Sequence, residues 1–441
     1  MVGCISERIL GETRWAPVCK VLPPAGPAHP GSRQAARHNQ GMMPRPPFAI
    51  AATGMVALAV AMGIGRFAFT PLLPMMLQDG VLGLPAASWL ATANYLGYWL
   101  GAMGCALLPW ATARWPRWRP VVHTRAIRLG LVATVLLTLG MALPWPAAWP
   151  LWRFLAGVAS ALVFVYSSGW CLQQLTAQGA PRLAGLIYVG PGLGITVSGL
   201  AATALVAADL SAATGWLAFA ALALLLTALV WPHLRGGLPQ EAAPVQPMAG
   251  SGAGAVATLA LAYGLAGFGY IITATFLPLI ARQSLAGSVW LDLFWPLFGV
   301  GVSLGALLTL RIPPRWDRRH LLMGGYTLQA VGVMLSLGWP TLFGFALSSF
   351  LIGLPFTAIT MFALQEVRRL RPVGASAFIG LLTAAYGLGQ IAGPLLVGLL
   401  LQSSGDARQG FALALQAAAA SLWLGVVMFG VLVRRYPLTS V

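Results

Sequence analysis

The stretch GIGRFAFTPLLP, residues 63–74, lies inside the apolar segment 48–77 and holds the one charged residue of that segment, Arg66. A segment of this length spans a bilayer as a helix. An arginine at the centre of such a helix costs about 2.5–3.5 kcal/mol on insertion scales. The side chain is tolerated there where it faces protein, water or an anion. The stretch therefore predicts a membrane-embedded helix bundle with Arg66 pointing inward.

The composition supports the same class. The chain has 441 residues, of which 58% are hydrophobic and only 8% are charged. A soluble domain of this size would have too few charges for its surface, and a transmembrane β-barrel would show alternating ten-residue segments instead of continuous apolar runs. We predict an all-α polytopic membrane protein.

Twelve apolar segments follow one another along the chain. Their approximate limits are 48–76, 86–108, 128–144, 149–175, 182–207, 213–234, 254–280, 288–310, 321–338, 340–365, 373–402 and 410–433. All approach or exceed the roughly 20 residues that a spanning helix needs, except the third and ninth, which are marginal. The sequence predicts twelve transmembrane helices.

Arginines in the loops predict the orientation. The net charge is +17, and Lys20 is the sole lysine. Only Arg282 and Arg408 lie in one set of loops. The other set and the C-terminus hold sixteen: Arg114, Arg117, Arg119, Arg125, Arg128, Arg182, Arg235, Arg311, Arg315, Arg318, Arg319, Arg368, Arg369, Arg371, Arg434 and Arg435. Basic loops stay in the cytoplasm, so we expect a bacterial inner-membrane protein with both termini cytoplasmic and no nucleic-acid partner.

The two halves of the chain repeat each other. Three pairs of motifs recur at separations of 203 or 204 residues: Gly65-Arg66-Phe67 with Gly269-Tyr270-Ile271, Gly97 and Gly101 with Gly301 and Gly305, and Gly190-Pro191 with Gly393-Pro394. This recurrence indicates a duplicated six-helix unit. Two such units related by an axis along the membrane normal form the major facilitator arrangement.

The predicted organisation has five parts. They are an N-terminal extension (1–42), a six-helix half (43–234), a cytoplasmic linker (235–253), a second six-helix half (254–435) and a C-terminal tail (436–441). The extension is Pro-rich and lacks the apolar core of a signal peptide. It is either a disordered cytoplasmic extension or the product of a start codon placed too early, because Met42-Met43 directly precedes the first span.

The chain resembles the major facilitator superfamily, and within it the YbfB/YjiJ-type branch, over residues 43–435. The resemblance is carried by Gly63–Pro74, Ala93–Gly101, Gly192–Ile195, Phe276–Pro278 and Gly389–Pro394. It implies twelve helices, alternating access and a small-molecule substrate.

Two superfamily patterns add expectations about coupling. Arg153 with Gly157 and Ala161 resembles a span-four pattern linked to proton coupling. The run 190–194 resembles the glycine–proline pattern of antiporters, although Ile195 replaces its final glycine. The acidic loop signature between spans two and three is missing, and a partial echo, residues 315–319, lies between spans eight and nine.

Three charged residues are the leading candidates for transport. Arg66 either binds an anionic substrate group or is a structural arginine satisfied by carbonyls at a helix break near Pro71 and Pro74. Arg153 is a proton-coupling candidate that could instead snorkel to the headgroups at the exterior end of span four. Asp292, placed five residues into span eight, is either a proton relay or an acid favoured by a helix N-terminus.

Neutral polar residues inside the spans are further substrate-binding candidates, although each could equally bond a neighbouring helix. They are Asn94, Tyr95, Tyr98, Tyr166, Tyr188, Tyr270, Tyr386 and Gln390. Tyr270 occupies the repeat position of Arg66, so we expect both to face one central space.

The hypothesis favoured by these features is a monomeric secondary transporter that exports a small organic solute in exchange for protons. Proton-coupled uptake of a metabolite is the alternative. A membrane enzyme is less favoured because the spans lack clustered catalytic side chains, and a non-transporting sensor because it would have little reason to hold Arg66 and Asp292 in the bilayer. No phosphate-binding loop, CxxC or His/Cys cluster occurs, so the sequence predicts no cofactor and no metal.

Overall fold

The protein is described here by a computed structural model covering residues 46–115, 122–235, 253–285, 289–313, 315–370 and 375–437. Within these ranges every regular element is helical, which confirms the all-α prediction. The described residues from Pro47 onward belong to one compact unit. The predicted N-terminal extension, most of the linker and most of the C-terminal tail lie outside the described residues.

When each interrupted helix is counted once, the described residues form twelve helical segments, numbered α1 to α12 in chain order. They are α1 (Pro47–Gln78), α2 (Leu84–Arg114), α3 (His123–Gly140), α4 (Trp149–Ala177), α5 (Val189–Ala207), α6 (Ala212–Val230), α7 (Ala253–Ser284), α8 (Phe294–Thr309), α9 (Arg318–Gly338), α10 (Leu342–Leu370), α11 (Ala375–Ser403) and α12 (Ala407–Arg435). Short 3-10 turns, Pro181–Tyr188 and Val289–Leu293, precede α5 and α8.

Ten stretches of the described chain are long and apolar enough to cross a membrane, and one of them, Trp290–Thr309, joins α8 to the 3-10 turn before it. The marginal ninth span meets that standard. The third does not, because α3 begins at His123 and includes Arg125 and Arg128. The second also falls short, since Asn94 and its aromatic neighbours lower the hydropathy of α2.

The two halves pack in the same way. Helix α2 packs on α4 and α3 on α6 in the first half, as α8 packs on α10 and α9 on α12 in the second. A Cβ built at Gly157 of α4 would lie 2.0 Å from the carbonyl oxygen of Asn94, and one at Gly353 of α10 would lie 2.3 Å from that of Phe298. Small residues permit the same close helix approach in both halves. This confirms the pseudo-symmetric six-helix halves.

Contacts between the halves run through two long helix pairs, α2 with α11 and α5 with α8, and through the second part of α1 with α7. The Trp99 indole N–H donates to the carbonyl of Ala384 at 3.0 Å, and the Thr70 hydroxyl donates to that of Ala274 at 3.1 Å. These contacts bring α1, α2, α7 and α11 together around one central region.

Helix α1 is interrupted at the stretch that carries Arg66. Regular helix over Pro47–Leu58 changes to a π-helix over Ala59–Arg66 and resumes at Phe69–Gln78. Gly63 allows a close approach to α5, since a Cβ there would lie 2.4 Å from the Cα of Gly194. Such widened turns leave backbone groups without regular partners and occur often at functional sites. Arg66 ends this segment.

The structure refines two expected boundaries. Asp292 lies in the first turn of the eighth span, Trp290–Thr309, where the 3-10 turn Val289–Leu293 leads into regular helix from Phe294. Pro296 follows directly and is tolerated in a first helical turn, where no backbone N–H bond is needed. Span ten is broken between Gly353 and Phe356, next to Pro355.

Candidate functional site

Arg66 lies in the centre of the bundle and bonds across the two halves. Its side chain is 3% exposed. One terminal nitrogen, Nη2, donates to Oε1 of Gln390 on α11 at 2.6 Å. The amide nitrogen of Gln390 donates in turn to the Tyr270 hydroxyl on α7. The expectation that Arg66 and Tyr270 face one central space is therefore confirmed.

Aromatic rings cover the Arg66 guanidinium. Its central carbon lies 3.9 Å from the ring centroid of Tyr98, 5.1 Å from that of Tyr95 and 5.3 Å from that of Phe67. A cation over an aromatic face gains about 0.5–2 kcal/mol, more where water is excluded. The Tyr95 hydroxyl is 2.9 Å from that of Thr275 on α7, which fixes the ring between the halves.

The second half contributes a column of tyrosines beside Arg66. Tyr386 stacks between two others, with ring centroids 4.4 Å from Tyr263 at an interplanar angle of 25° and 5.8 Å from Tyr270 at 17°. The Tyr263 hydroxyl donates to that of Thr360 at 2.9 Å. Close packing of α7 on α11 holds the column in place, since a Cβ at Gly267 would lie 2.3 Å from the Tyr386 carbonyl oxygen.

The positive charge of Arg66 has no carboxylate partner among the described residues. The ion pairs there involve other arginines and one histidine. The described acids all lie at or near helix ends: Asp79, Asp209, Asp292, Asp317, Glu366 and Asp406. The Arg66 Nε is buried and lacks a hydrogen-bond acceptor. Burying a cation without a carboxylate partner is costly, and the Gln390 amide and the surrounding rings offset part of that cost.

Arg153 is buried beside Arg66 and does not reach the headgroups, so the snorkelling interpretation is wrong. Its Nη1 and Nη2 donate to the carbonyls of Gly65 and Arg66 at 3.2 and 2.9 Å. These carbonyls end the π-helical segment, where a cation is favoured by the helix dipole. Asn94 donates to the Arg153 carbonyl at 2.8 Å and thus joins α2 to α4 instead of joining the ring cluster around Arg66.

Two predicted tyrosines lie apart from the Arg66 contacts. Tyr166 is buried on α4 with its ring 5.6 Å from that of His123. Tyr188 ends the 3-10 turn before α5, and its hydroxyl donates to Ser168 at 3.4 Å. Phe164 connects Tyr188 to Tyr98 through ring contacts at 6.0 and 6.4 Å. Tyr188 therefore extends the aromatic surface, whereas Tyr166 does not.

Asp292 forms an ion pair at the end of the bundle. Arg282, at the end of α7, donates to its Oδ1 at 2.5 Å, with the two side chains 29% and 17% exposed. The backbone carbonyl of Asp292 accepts from the Thr203 hydroxyl on α5 at 3.2 Å. The residue therefore joins α5, α7 and α8 at the end opposite the arginine-rich end, which we define by the loops with Arg182, Arg235 and Arg311.

A buried ion cluster lies at the arginine-rich end of the second half. Arg319 pairs with Asp317 at 2.8 Å, and Glu366, which is fully buried, pairs with Arg369 at 2.6 Å and with Arg319 at 3.9 Å. Burial of Asp317 opposes its ionisation, but its hydrogen bonds from Arg319 outweigh this, and its pKa is lowered. Residues 315–319, the partial copy of the loop signature, therefore include two residues, Asp317 and Arg319, that form ion pairs within this half.

The sequence analysis missed Tyr263 and Thr275. Tyr263 precedes Tyr270 by seven residues, which is two helical turns, so the two share a helix face. That spacing was available from the sequence. Thr275 had no comparable signal, because only the packing of α2 on α7 shows that it meets the Tyr95 hydroxyl.

Solved structures with the same fold are transporters. A point mutant of the nucleoside transporter NupG superposes with a TM-score of 0.66 at 17% identity, covering 87% of this chain and 99% of that chain. An inward-facing, unoccupied bacterial homolog of the human lysosomal transporter Spinster gives 0.63 at 13% identity, covering 89% and 98%. Among curated proteins nothing matches.

Residues 58–429 of the chain match the protein family described as "Uncharacterised MFS-type transporter YbfB". This agrees with the resemblance found in the sequence and with the fold of the solved structures. The chain belongs to this family of major facilitator membrane transporters.

Proposed function

We propose that the chain is a secondary transporter that moves a small organic solute with an anionic group by alternating access, as an exporter coupled to protons. The observation that supports this proposal is the buried Arg66, which has no acidic partner in the described residues and bonds from one six-helix half to Gln390 of the other. An anion would supply the missing charge, and it would do so at the place where the halves must separate.

The Arg66–Gln390 bond also supports an order of events. Amide oxygens are neutral acceptors, so a carboxylate or phosphate competes well for the guanidinium. Binding would free Gln390 and with it the link to Tyr270. Loss of this bridge weakens the contact between the halves, which is what rocking about the central region requires. The solute would thereby favour its own translocation.

The proton-coupling proposal rests on the Asp292–Arg282 pair and on Arg153. Protonation of Asp292 from the side that it faces would remove its attraction for Arg282 and loosen the junction of α5, α7 and α8. Opening on that side would release the solute there as a proton binds. Arg153, bonded to the carbonyls at the α1 break, would transmit the change to Arg66.

To test this, the full chain is reconstituted in proteoliposomes, and organic anions, neutral solutes and nucleosides are added one at a time. The pH inside the vesicles is recorded. Nucleosides are included because NupG transports them, and they are uncharged. We expect an anion to drive proton movement opposite to its own flux, and Arg66→Ala to abolish both. Arg408→Ala, which removes an exposed arginine, is the matched control.

The outcomes separate the alternatives. Proton and solute moving in the same direction would mean uptake by symport and overturn the export proposal. Arg66-dependent flux without any pH change would overturn proton coupling while leaving anion transport in place. Equal transport of a nucleoside by wild type and Arg66→Ala would remove Arg66 from the substrate site.

A further inference from the structure

We infer that the transported anion is an aromatic carboxylate, a compound whose carboxyl group is attached to a flat conjugated ring. This inference rests on the proposed function and names its substrate class. It comes from the chemistry around Arg66, where Tyr98, Tyr95 and Phe67 contact the guanidinium and the tyrosine column of the second half lies beside it.

Two aromatic walls lie on either side of the central region. The first half contributes Tyr98, Phe164 and Tyr188, which are connected by ring contacts and are partly exposed although they lie on membrane-spanning segments. The second half contributes the partly exposed Tyr386, stacked on Tyr263. Tyr98 lies on the Arg66 guanidinium, which bonds to Gln390, and Gln390 in turn bonds to Tyr270, on which Tyr386 stacks. The two walls therefore meet at Arg66.

The position of the guanidinium restricts how an anion can bind. Tyr98 covers its face at 3.9 Å, which leaves the edge, including the unpartnered Nε, for a carboxylate. A carboxylate bound edge-on to a guanidinium lies in the same plane. Where the carboxyl group is conjugated to a ring, that ring continues in the plane and passes along the tyrosine faces. A saturated ring cannot adopt this flat geometry.

The hydroxyls along the walls already have partners. Tyr188 bonds to Ser168 and Tyr263 to Thr360. Because these hydroxyls already have hydrogen-bond partners within the protein, they do not need polar groups on a ligand. The walls therefore contact a ligand mainly through the faces of their rings. Offset stacking between rings contributes about 0.5–1.5 kcal/mol beyond buried area, so a flat conjugated body is favoured over an aliphatic one.

The experiment measures binding of three probes to the purified full chain by isothermal titration calorimetry at neutral pH. Benzoate is flat and anionic, cyclohexanecarboxylate is anionic but not flat, and benzamide is flat but neutral. We expect benzoate to bind about tenfold more tightly than either of the others, because cyclohexanecarboxylate lacks the stacking on two walls and benzamide lacks the charge. Binding of cyclohexanecarboxylate or benzamide within twofold of benzoate, or no benzoate binding, would overturn the inference.

Variants assign the preference to the walls. Tyr386→Leu and Tyr98→Leu should each reduce the benzoate-to-cyclohexanecarboxylate ratio at least about threefold, since each removes one stacking face. Phe343→Leu, which removes an exposed ring from α10, is the matched control and should leave the ratio unchanged. An unchanged ratio in both tyrosine variants would overturn the aromatic-wall argument even if benzoate bound well.

Failure here is distinguishable from failure of the proposed function. Arg66-dependent flux of a non-aromatic anion in proteoliposomes, together with no benzoate preference, would overturn the substrate class alone. Benzoate binding with the expected preference, in a protein that moves no solute, would overturn transport and leave the binding site.

Discussion

The regions around Arg66 on α1 and Tyr270 on α7 occupy the same position in two halves with the same helix packing, yet they differ in chemistry. The first has a π-helical interruption, a buried cation and Arg153 on its free carbonyls. The second is one continuous helix with a tyrosine that accepts from Gln390. The difference shows that duplication preserved the scaffold, whereas the charge of the site came from one half and its ring column from the other.

The packing explains how the two halves can differ so much at one position. The close contact of Gly157 with Asn94 in the first half is reproduced by Gly353 with Phe298 in the second. These contacts involve backbone atoms, so they do not depend on whether the neighbouring side chain is an amide or a phenyl ring. Side chains facing the central region were therefore free to diverge without loss of the fold.

The strongest test of this asymmetry substitutes each of the two equivalent residues in turn. Arg66→Ala should reduce anion flux about 100-fold or more while the protein still inserts, because removing one partner of a buried charge interaction costs about 2–5 kcal/mol. Tyr270→Phe, at the repeat position, should reduce flux less than tenfold. Proteoliposome flux measures the effect and size-exclusion profiles control for folding. Equal losses would mean that charge is not divided between the halves as proposed.

The shared scaffold predicts a symmetrical effect. Gly157→Ala and Gly353→Ala should each destabilise the protein by about 3 kcal/mol, since the new Cβ meets a backbone carbonyl that cannot move aside. Gly104→Ala, where a Cβ meets nothing within 4 Å, should be neutral. Thermal unfolding of the purified variants measures this. A tolerated substitution in one half only would show that the halves pack differently.

Arg153 donates to backbone carbonyls at the break in α1, whereas α7 is continuous at Tyr270, so the role of Arg153 belongs to the first half. Arg153→Leu should cost about 2 kcal/mol, because the carbonyls of Gly65 and Arg66 lose their donors in a buried site. Thermal unfolding gives the stability change, and the pH dependence of flux tests coupling. A stability loss with an unaltered pH profile would restrict Arg153 to anchoring the α1 break.

Asp292 tests whether the junction of α5, α7 and α8 carries the proton. Asp292→Asn should cost less than about 1 kcal/mol in stability, since the Arg282 pair is partly exposed and screened. Transport should nevertheless lose its dependence on a pH gradient. Flux at several imposed gradients measures this, with Asp209→Asn as the control carboxylate. A wild-type pH response would move the proton site elsewhere.

The ion cluster at the arginine-rich end gives the smallest expected effect and also distinguishes the halves. Because the pKa of Asp317 is lowered in the folded protein, its carboxylate stabilises the fold at and above its ordinary range near 3.8, and this contribution is lost as pH falls through the lowered value. Thermal unfolding between pH 2 and 6 should show this loss, and Asp317→Asn should lack it. If the stability of Asp317→Asn fell with decreasing pH in the same way as that of the wild type, Asp317 would not be the source of the acid-dependent loss.

Much of the central site was predictable because its members are polar residues inside apolar spans. Arg66, Tyr95, Tyr98, Tyr270, Tyr386 and Gln390 were expected and are brought together. Asn94 and Tyr166 are also polar residues inside apolar spans, but they contact other helices. Periodicity gives the face of a helix only relative to itself, so it could not distinguish these cases.

The sequence by itself determined the membrane class, the helix order and the duplication, because apolar length and recurrent motifs are properties of the chain read in order. Tertiary structure alone decided that Arg66 bonds to Gln390, that Arg153 is buried on carbonyls and that Asp292 lies at a helix end. Helix packing decides which residues come within hydrogen-bonding distance, as for Arg66 and Gln390, which are 324 positions apart in the chain.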